Sequence, residues 1–264
     1  VVGSLIIIVF VIMAIFAPIF ATFDPNTTDL LNIRTSPNKV HILGTDDLGR
    51  DIFSRLLYGG RVSIAVGVAS MILQILIGVT IGVIAGYFGG LIDKIIMRIV
   101  DIIMCFPFFV IAIALAAVIG GSITNLVLII GMLMWPVITR IVRGEVLVTK
   151  QNEYILAAKA LGFNTFEIII HHIIPNIISA ILVSSTLCIA QGILMEATLS
   201  FLGLGVNPPT PSWGNMLVAA QNMSVLSHKW WMWIPAGMSV VLIVLSVNFV
   251  GDGLRDALDV EKSV

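Results

Sequence analysis

Six stretches of the chain, 1–23, 62–92, 102–139, 173–195, 197–228 and 230–251, contain no Asp, Glu, Lys or Arg. About 20 apolar residues make a helix that crosses a bilayer. Four stretches predict one spanning helix each, over 3–23, 62–86, 176–199 and 231–250. The run 102–139 is too long for one helix and is interrupted by Gly120-Gly121-Ser122, which predicts two, 102–119 and 124–139. The run 197–228 carries Asn207-Pro208-Pro209-Thr210-Pro211 and is too polar and Pro-broken to span. The expectation is an all-α polytopic membrane protein with six transmembrane helices. The first apolar stretch exceeds the 7–15 residues of a signal-peptide core and lacks a small-residue cleavage pattern, so it is read as retained. Val1 stands already inside it, and the native chain is expected to begin earlier.

Six spans put both termini on one side. That side holds Lys94, Arg98, Arg140, Arg143, Lys150, Lys159, Arg255 and Lys262, against Arg34, Lys39, Arg50, Arg55, Arg61 and Lys229 on the other. The excess of cations places the termini in the cytoplasm. Three regions follow. Residues 1–61 are the first helix and an extracytoplasmic loop; 62–251 are a five-helix core with a cytoplasmic loop at 144–175 and an outer loop at 199–230; 252–264 are a cytoplasmic tail.

Composition agrees with this picture. The chain is 58% hydrophobic and 11% charged, with a mean hydropathy of +1.09. A soluble domain carries roughly 25% charged residues. A water-soluble globule is therefore excluded, and so is a disordered chain. The net charge of −1 points to no nucleic-acid partner. Cys105 and Cys188 both lie in apolar runs and read as small hydrophobes, not as a disulfide or metal ligands.

The segments between spans carry the remaining signals. Thr45-Asp46-Asp47 precedes Leu48, Ile52 and Leu56 at four-residue spacing, with Asp51 and Arg55 as an i,i+4 pair. This predicts a short N-capped amphipathic helix over 48–58 at the membrane surface. Gly78, Gly82, Gly86 and Gly90 recur every four residues and form a smooth helical stripe. Packing within this chain and a seam to another subunit are both open readings of it. In the loop at 144–175, residues 153–161 have helix-forming composition and end at Gly162; Asn164 then precedes Glu167 as in a capping box. That predicts helix, glycine elbow, helix. Residues 199–230 read as an outer plug, followed by Trp230, Trp231 and Trp233 at an interfacial belt.

Several chemistries find no residues. There is no G-x-x-x-x-G-K-[ST], no H-E-x-x-H and no G-x-S-x-G. Adjacent His171 and His172 diverge by about 100° on a helix and do not share a metal. Glu196 is the one acid near a span interior; a structural role is favoured for it, satisfied by water or by the amides of Gly203–Gly205.

The segment Tyr154-Ile155-Leu156-Ala157-Ala158-Lys159-Ala160-Leu161-Gly162 with Pro175-Asn176 resembles the cytoplasmic coupling loop of bacterial ABC importer permeases. Ala157, Ala158, Gly162 and Pro175 keep the family spacing, whereas Leu156, His172 and Ile174 replace its Glu, Ile and Leu, as in the peptide/nickel branch. The segments 41–51, 85–90, 199–205, 208–214 and 251–256 are similar to the C-type subunits of dipeptide and oligopeptide permeases. The resemblance implies a type I importer fold and a half-pore that moves di- or oligopeptides, with nickel-chelate and glutathione import as the alternatives. It implies a second, homologous permease in a heterodimer, an extracytoplasmic binding protein and two ATPases that carry the ATP and magnesium. The chain itself would be no enzyme and would hold no cofactor or metal. Glu153, Ala157, Ala158 and Gly162 would dock the ATPase, with Pro175 stopping the elbow; Gly203, Gly205, Pro209 and Trp213 would face the binding protein. An ion-coupled secondary transporter is the rival class, and the span centres lack the ionisable residues it needs.

Overall fold

The structure is a computed structural model that describes residues 1–261; Lys262 and the end of the predicted tail lie outside the described residues. Helix α1 (Val2–Ile15) breaks at Phe16 and resumes as α2 (Ala17–Phe20). Pro18 explains the break, because it has no amide for the carbonyl of Ala14 and its ring would crowd that carbonyl. The first apolar segment is thus shorter than the predicted 3–23.

Helix α3 (Ile52–Phe88) is continuous over 37 residues, about 55 Å at 1.5 Å per residue. It absorbs both the predicted surface helix at 48–58 and the second span, so the expected boundary at 61/62 falls inside a helix. Its cap is Asp51, whose carboxylate accepts from the Ser54 amide and hydroxyl, both at 2.8 Å, and lies 3.0 Å from His41 Nδ1. The expected Asp51–Arg55 pair does not form. Arg55 instead donates to the carbonyls of Pro25 (3.0 Å) and Pro209 (3.4 Å) and lies 3.6 Å from Asp46. A charge satisfied in this way does not interrupt the helix.

After Gly89, at φ +64°, come α4 (Gly90–Cys105) and α5 (Phe108–Ile119), bent by 80° from each other. The residue before a proline is pushed out of the helical region, and Phe106, before Pro107, is extended. The third span therefore starts at Phe108, not at 102. α4 is pinned along α6 (Ile123–Thr149) by ion pairs of Asp93 with Arg143 and of Asp101 with Arg140. α6 extends well past the predicted end at 139, so the loop expected at 144–175 begins inside it.

Two turns follow, α7 (Glu153–Ala160) and α8 (Thr165–Ile168), then a π-helical turn, Ile169–Ile173, and α9 (Ile174–Phe201). Residues Thr165–Phe201 run as one apolar helical segment. Pro175 does not stop the elbow as expected. It sits in the first turn of α9, where the wider π turn accommodates the hydrogen bond and the ring clearance it lacks. α10 (Trp213–Leu217) and α11 (Met223–His228) form the plug before α12 (Ile234–Glu261), which continues unbroken past the predicted span end at 250.

Among the described residues four helical segments are long and apolar enough to cross a membrane: α3, α6, Thr165–Phe201 and Ile234–Leu258. The bent pair α4–α5 and the shorter α1 bring the apolar segments to the expected six. Their core is the contact of α3 with α6. Cβ atoms on Gly78, Gly82 and Gly86 would lie 2.6, 2.8 and 2.8 Å from the Cβ atoms of Ile138, Val142 and Val146, so these glycines set the interhelical distance. Gly90 lies beyond the end of α3 with nothing within 4 Å of a Cβ there, and is not part of the stripe.

Candidate coupling elbow and the buried carboxyl at the opposite end

The elbow is built from two local signals. α7 closes with the amides of Phe163 and Gly162 bonded back to the carbonyls of Ala158 (3.2 Å) and Lys159 (3.1 Å), a Schellman closure that needs the left-handed φ of +85° at Gly162. Asn164 and Glu167 then cap each other's backbone, each at 2.9 Å, and start α8. The elbow is seated on the chain's own helices. Ile155, Ala158 and Ile168 are buried in one cluster with Val142, Val146 and Ile173. Lys150 Nζ donates to the Gly86 carbonyl at 2.7 Å, and Lys159 stands over the Tyr87 ring.

Of the expected docking residues, Glu153, Ala157 and Gly162 are exposed. Ala158 is buried and belongs to the seat, because the helical repeat that exposes Ala157 turns the next residue inward. The composition-based reading missed the apolar crest of the elbow: Leu161 is 78% and Phe166 70% exposed, with Leu156 and Phe163 beside them. The signal was available, because exposed large apolar residues in a segment rich in polar neighbours mark a contact surface.

At the opposite end of α9, Glu196 is fully buried. Its two oxygens accept from Ser63 Oγ and Ser200 Oγ, each at 2.7 Å, and the Ser212 hydroxyl lies beside them. Its described partners are hydroxyls, not the amides of Gly203–Gly205 expected to satisfy it; of those, Gly203 and Leu204 donate to the carbonyls of Ser200 and Leu199, closing α9. Ser63 Oγ also accepts from the Trp213 amide (3.1 Å), and the Trp213 indole donates to the Leu56 carbonyl (3.0 Å). One polar chain therefore joins α3, α9 and α10. Trp213 is 1% exposed, packed edge-on against Phe10. It is a core anchor and cannot face a partner, since its large ring and single donor are both used inside. Gly205 is buried as well, while Gly203 and Pro209 are exposed. Near this plug a cleft of about 170 Å³ is lined by Asp46, Asp47, Arg50, Arg55, Asn215 and Met232 among others. Among the described residues no group of His, Cys, Asp and Glu is arranged to hold a metal ion.

Residues 78–262, more than half of the sequence, match the family described as binding-protein-dependent transport system inner membrane component. The chain belongs to that family. Residues 1–37 match a second family, the N-terminal TM domain of oligopeptide transport permease C. This inner membrane component is 45% identical over 259 residues to the oligopeptide transport system permease protein OppC of Bacillus subtilis, covering 98% of this chain and 84% of the relative. It is 43% identical to the dipeptide transport system permease protein DppC of Alkalihalophilus pseudofirmus, over 98% of this chain and 84% of that one. The glutathione transport system permease protein GsiD of Shigella flexneri is also 43% identical, with 97% and 84% covered. A solved structure of the MetNI methionine ABC transporter in inward facing conformations shares the fold, with a TM-score of 0.62 at 18% identity, covering 78% of this chain and 97% of that one. The inner membrane component is thus a multi-pass permease subunit of an ABC importer and not itself an enzyme.

Proposed function

We propose that this permease forms one half of a pore that admits peptides, coupled through its elbow to separate ATPases that bind ATP and magnesium. The observation that carries the proposal is the elbow itself: a Schellman turn and a capping box hold Leu161 and Phe166 exposed on a segment otherwise locked to the chain's own helices. Such a crest fits a groove on a soluble subunit, with Glu153, Ala157 and Gly162 around it, while Ala158, Ile155 and Pro175 transmit its position to α6 and α9. Movement of the elbow would shift the pore between two packed states.

In this reading the elbow and both termini lie in the cytoplasm of a bacterial cell. A second, homologous permease completes the pore as a heterodimer. An extracytoplasmic binding protein docks over the plug, near Gly203, Pro209 and the charged cleft. Relatives named for oligopeptide, dipeptide and glutathione transport support a peptide substrate. Glutathione is itself a peptide and is the nearest alternative; a nickel chelate is the more distant one.

The test uses Gly162→Asp and Gly162→Asn in the assembled transporter. A Cβ at this position meets nothing within 4 Å, and each substitution costs only about 1 kcal/mol of left-handed strain. Asp adds a charge at the crest; Asn tolerates the same backbone without one. Gly162→Asp is expected to uncouple ATP hydrolysis from peptide uptake, and Gly162→Asn to keep most of it. Normal uptake by the Asp variant refutes the coupling role.

A further inference from the structure

α1 meets the rest of the bundle along α12 and α3 but does not close the seam. Between α1, α3, α9 and α12 lies a cavity of about 230 Å³ lined by aliphatic side chains, among them Ile7, Ile189 and Ile243. The one hydroxyl there, on Thr186, is spent on the Val183 carbonyl at 2.8 Å. A second cavity, about 350 Å³, continues along the α1–α3 seam; the two share Val11, Ile64 and Val68 as walls. Arg61 lines the second cavity and not the first. On α3 the residues Arg61, Ile64, Ala65 and Val68 follow at three- and four-residue steps, so one helical face carries both the cation and the apolar wall.

Arg61 is exposed, and its one described contact is the Tyr58 ring, 5.8 Å away. Among the described residues no carboxylate lies within ion-pair distance of it. Three arginines of α3 and α6 are treated differently. Arg55 is held by carbonyls, and Arg140 and Arg143 are paired with Asp101 and Asp93. A guanidinium on a spanning helix requires an anion or water, and its fork matches a phosphate. The groove requires the opposite: water entering it would find no polar partners, whereas an aliphatic chain would gain dispersion contacts on every side.

We propose that the α1–α3 seam binds one anionic phospholipid, with its phosphate on Arg61 and an acyl chain in the aliphatic groove. The two halves of the site demand the two halves of that molecule, in the right order along one helix face. A non-ionic detergent or a free anion satisfies only one of them.

The experiment takes the assembled transporter, delipidated in detergent, and follows its unfolding midpoint during titration with phosphatidylglycerol, phosphatidylcholine or inorganic phosphate. Lipid retained by each protein is read by native mass spectrometry. The expected result is a rise in midpoint with phosphatidylglycerol for the native chain and for Arg61→Lys. For Arg61→Gln the lipid concentration needed is expected to rise about tenfold, the loss of one charge-assisted pair. Ala65→Phe, which leaves Arg61 in place and fills the groove, is expected to weaken the response as well and to lose the retained lipid. An equal response to phosphatidylcholine overturns the anionic specificity. A response to inorganic phosphate as large as that to the lipid overturns the groove. An unchanged phosphatidylglycerol response in Arg61→Gln overturns the site altogether.

Discussion

Replacement of Glu196 separates a structural carboxyl from a working one. In Glu196→Ala the hydroxyls of Ser63 and Ser200 lose acceptors at 2.7 Å. Each hydroxyl can turn back to the carbonyl four residues earlier on its own helix, so the loss is about 1 kcal/mol per bond, not a full desolvation penalty. The vacated side-chain space adds roughly another 1 kcal/mol at about 24 cal/mol per Å³. The total, about 3 kcal/mol, corresponds to a drop of roughly 6–12 °C in midpoint for a chain of this size. Glu196→Gln keeps the shape and one acceptor, and Ser200 can reverse its hydrogen bond to receive the new amide. Its expected cost is about 1 kcal/mol or less. Thermal unfolding of the purified complex measures both, and peptide uptake into proteoliposomes is expected to persist in the Gln variant. Abolished uptake by a Gln variant that inserts and unfolds normally refutes the structural assignment. An Ala variant with an unchanged midpoint refutes the claim that this carboxyl ties the plug to α3 and α9.

Two further outcomes follow from the geometry. Gly82→Ala places a Cβ 2.8 Å from Val142 Cβ and 2.9 Å from the Thr139 carbonyl, so α3 and α6 must separate; a loss of about 1–3 kcal/mol is expected in thermal unfolding, and an unaltered midpoint would show that the helices are not in such close contact. Asp51→Ala removes the cap of α3 and the partner of His41. It is expected to cost about 1–2 kcal/mol and to speed hydrogen exchange at the Ser54 amide, with Asp51→Asn restoring most of the protection; equal exchange in all three proteins contradicts the cap.

Charge-free runs located the apolar segments because an unsatisfied charge in lipid is costly. The same rule misplaced the start of α3. Arg61 set the expected boundary and Arg55 was read as the polar side of a separate surface helix, but Arg55 is held by the carbonyls of Pro25 and Pro209 and lies near Asp46, and no local pattern announces a partner from residue 209. The break before α5 was legible, because Pro107 forbids a helical Phe106; the charge-free run concealed it. The elbow was readable almost residue by residue, because Gly162 and the Asn164–Glu167 box are local signals. Its orientation was not. Whether Ala157 or Ala158 faces inward depends on where α3 and α6 stand, which is tertiary information. Trp213 was misread for the same reason: a Pro-rich flank marks a loop, but only the carbonyl of Leu56 and the hydroxyl of Ser63 show that this loop re-enters the core.

The π-helical turn at Ile169–Ile173 alters what length means at this point in the chain. A π turn spends one residue more than an α turn, and one residue is worth about 100° of helical phase. The azimuth at which Leu161 and Phe166 leave the bundle is therefore set by this single surplus residue, as a vernier sets a dial. Removing one residue from the turn would barely shorten the arm, yet it would swing the crest about a quarter of the way round the axis of α9.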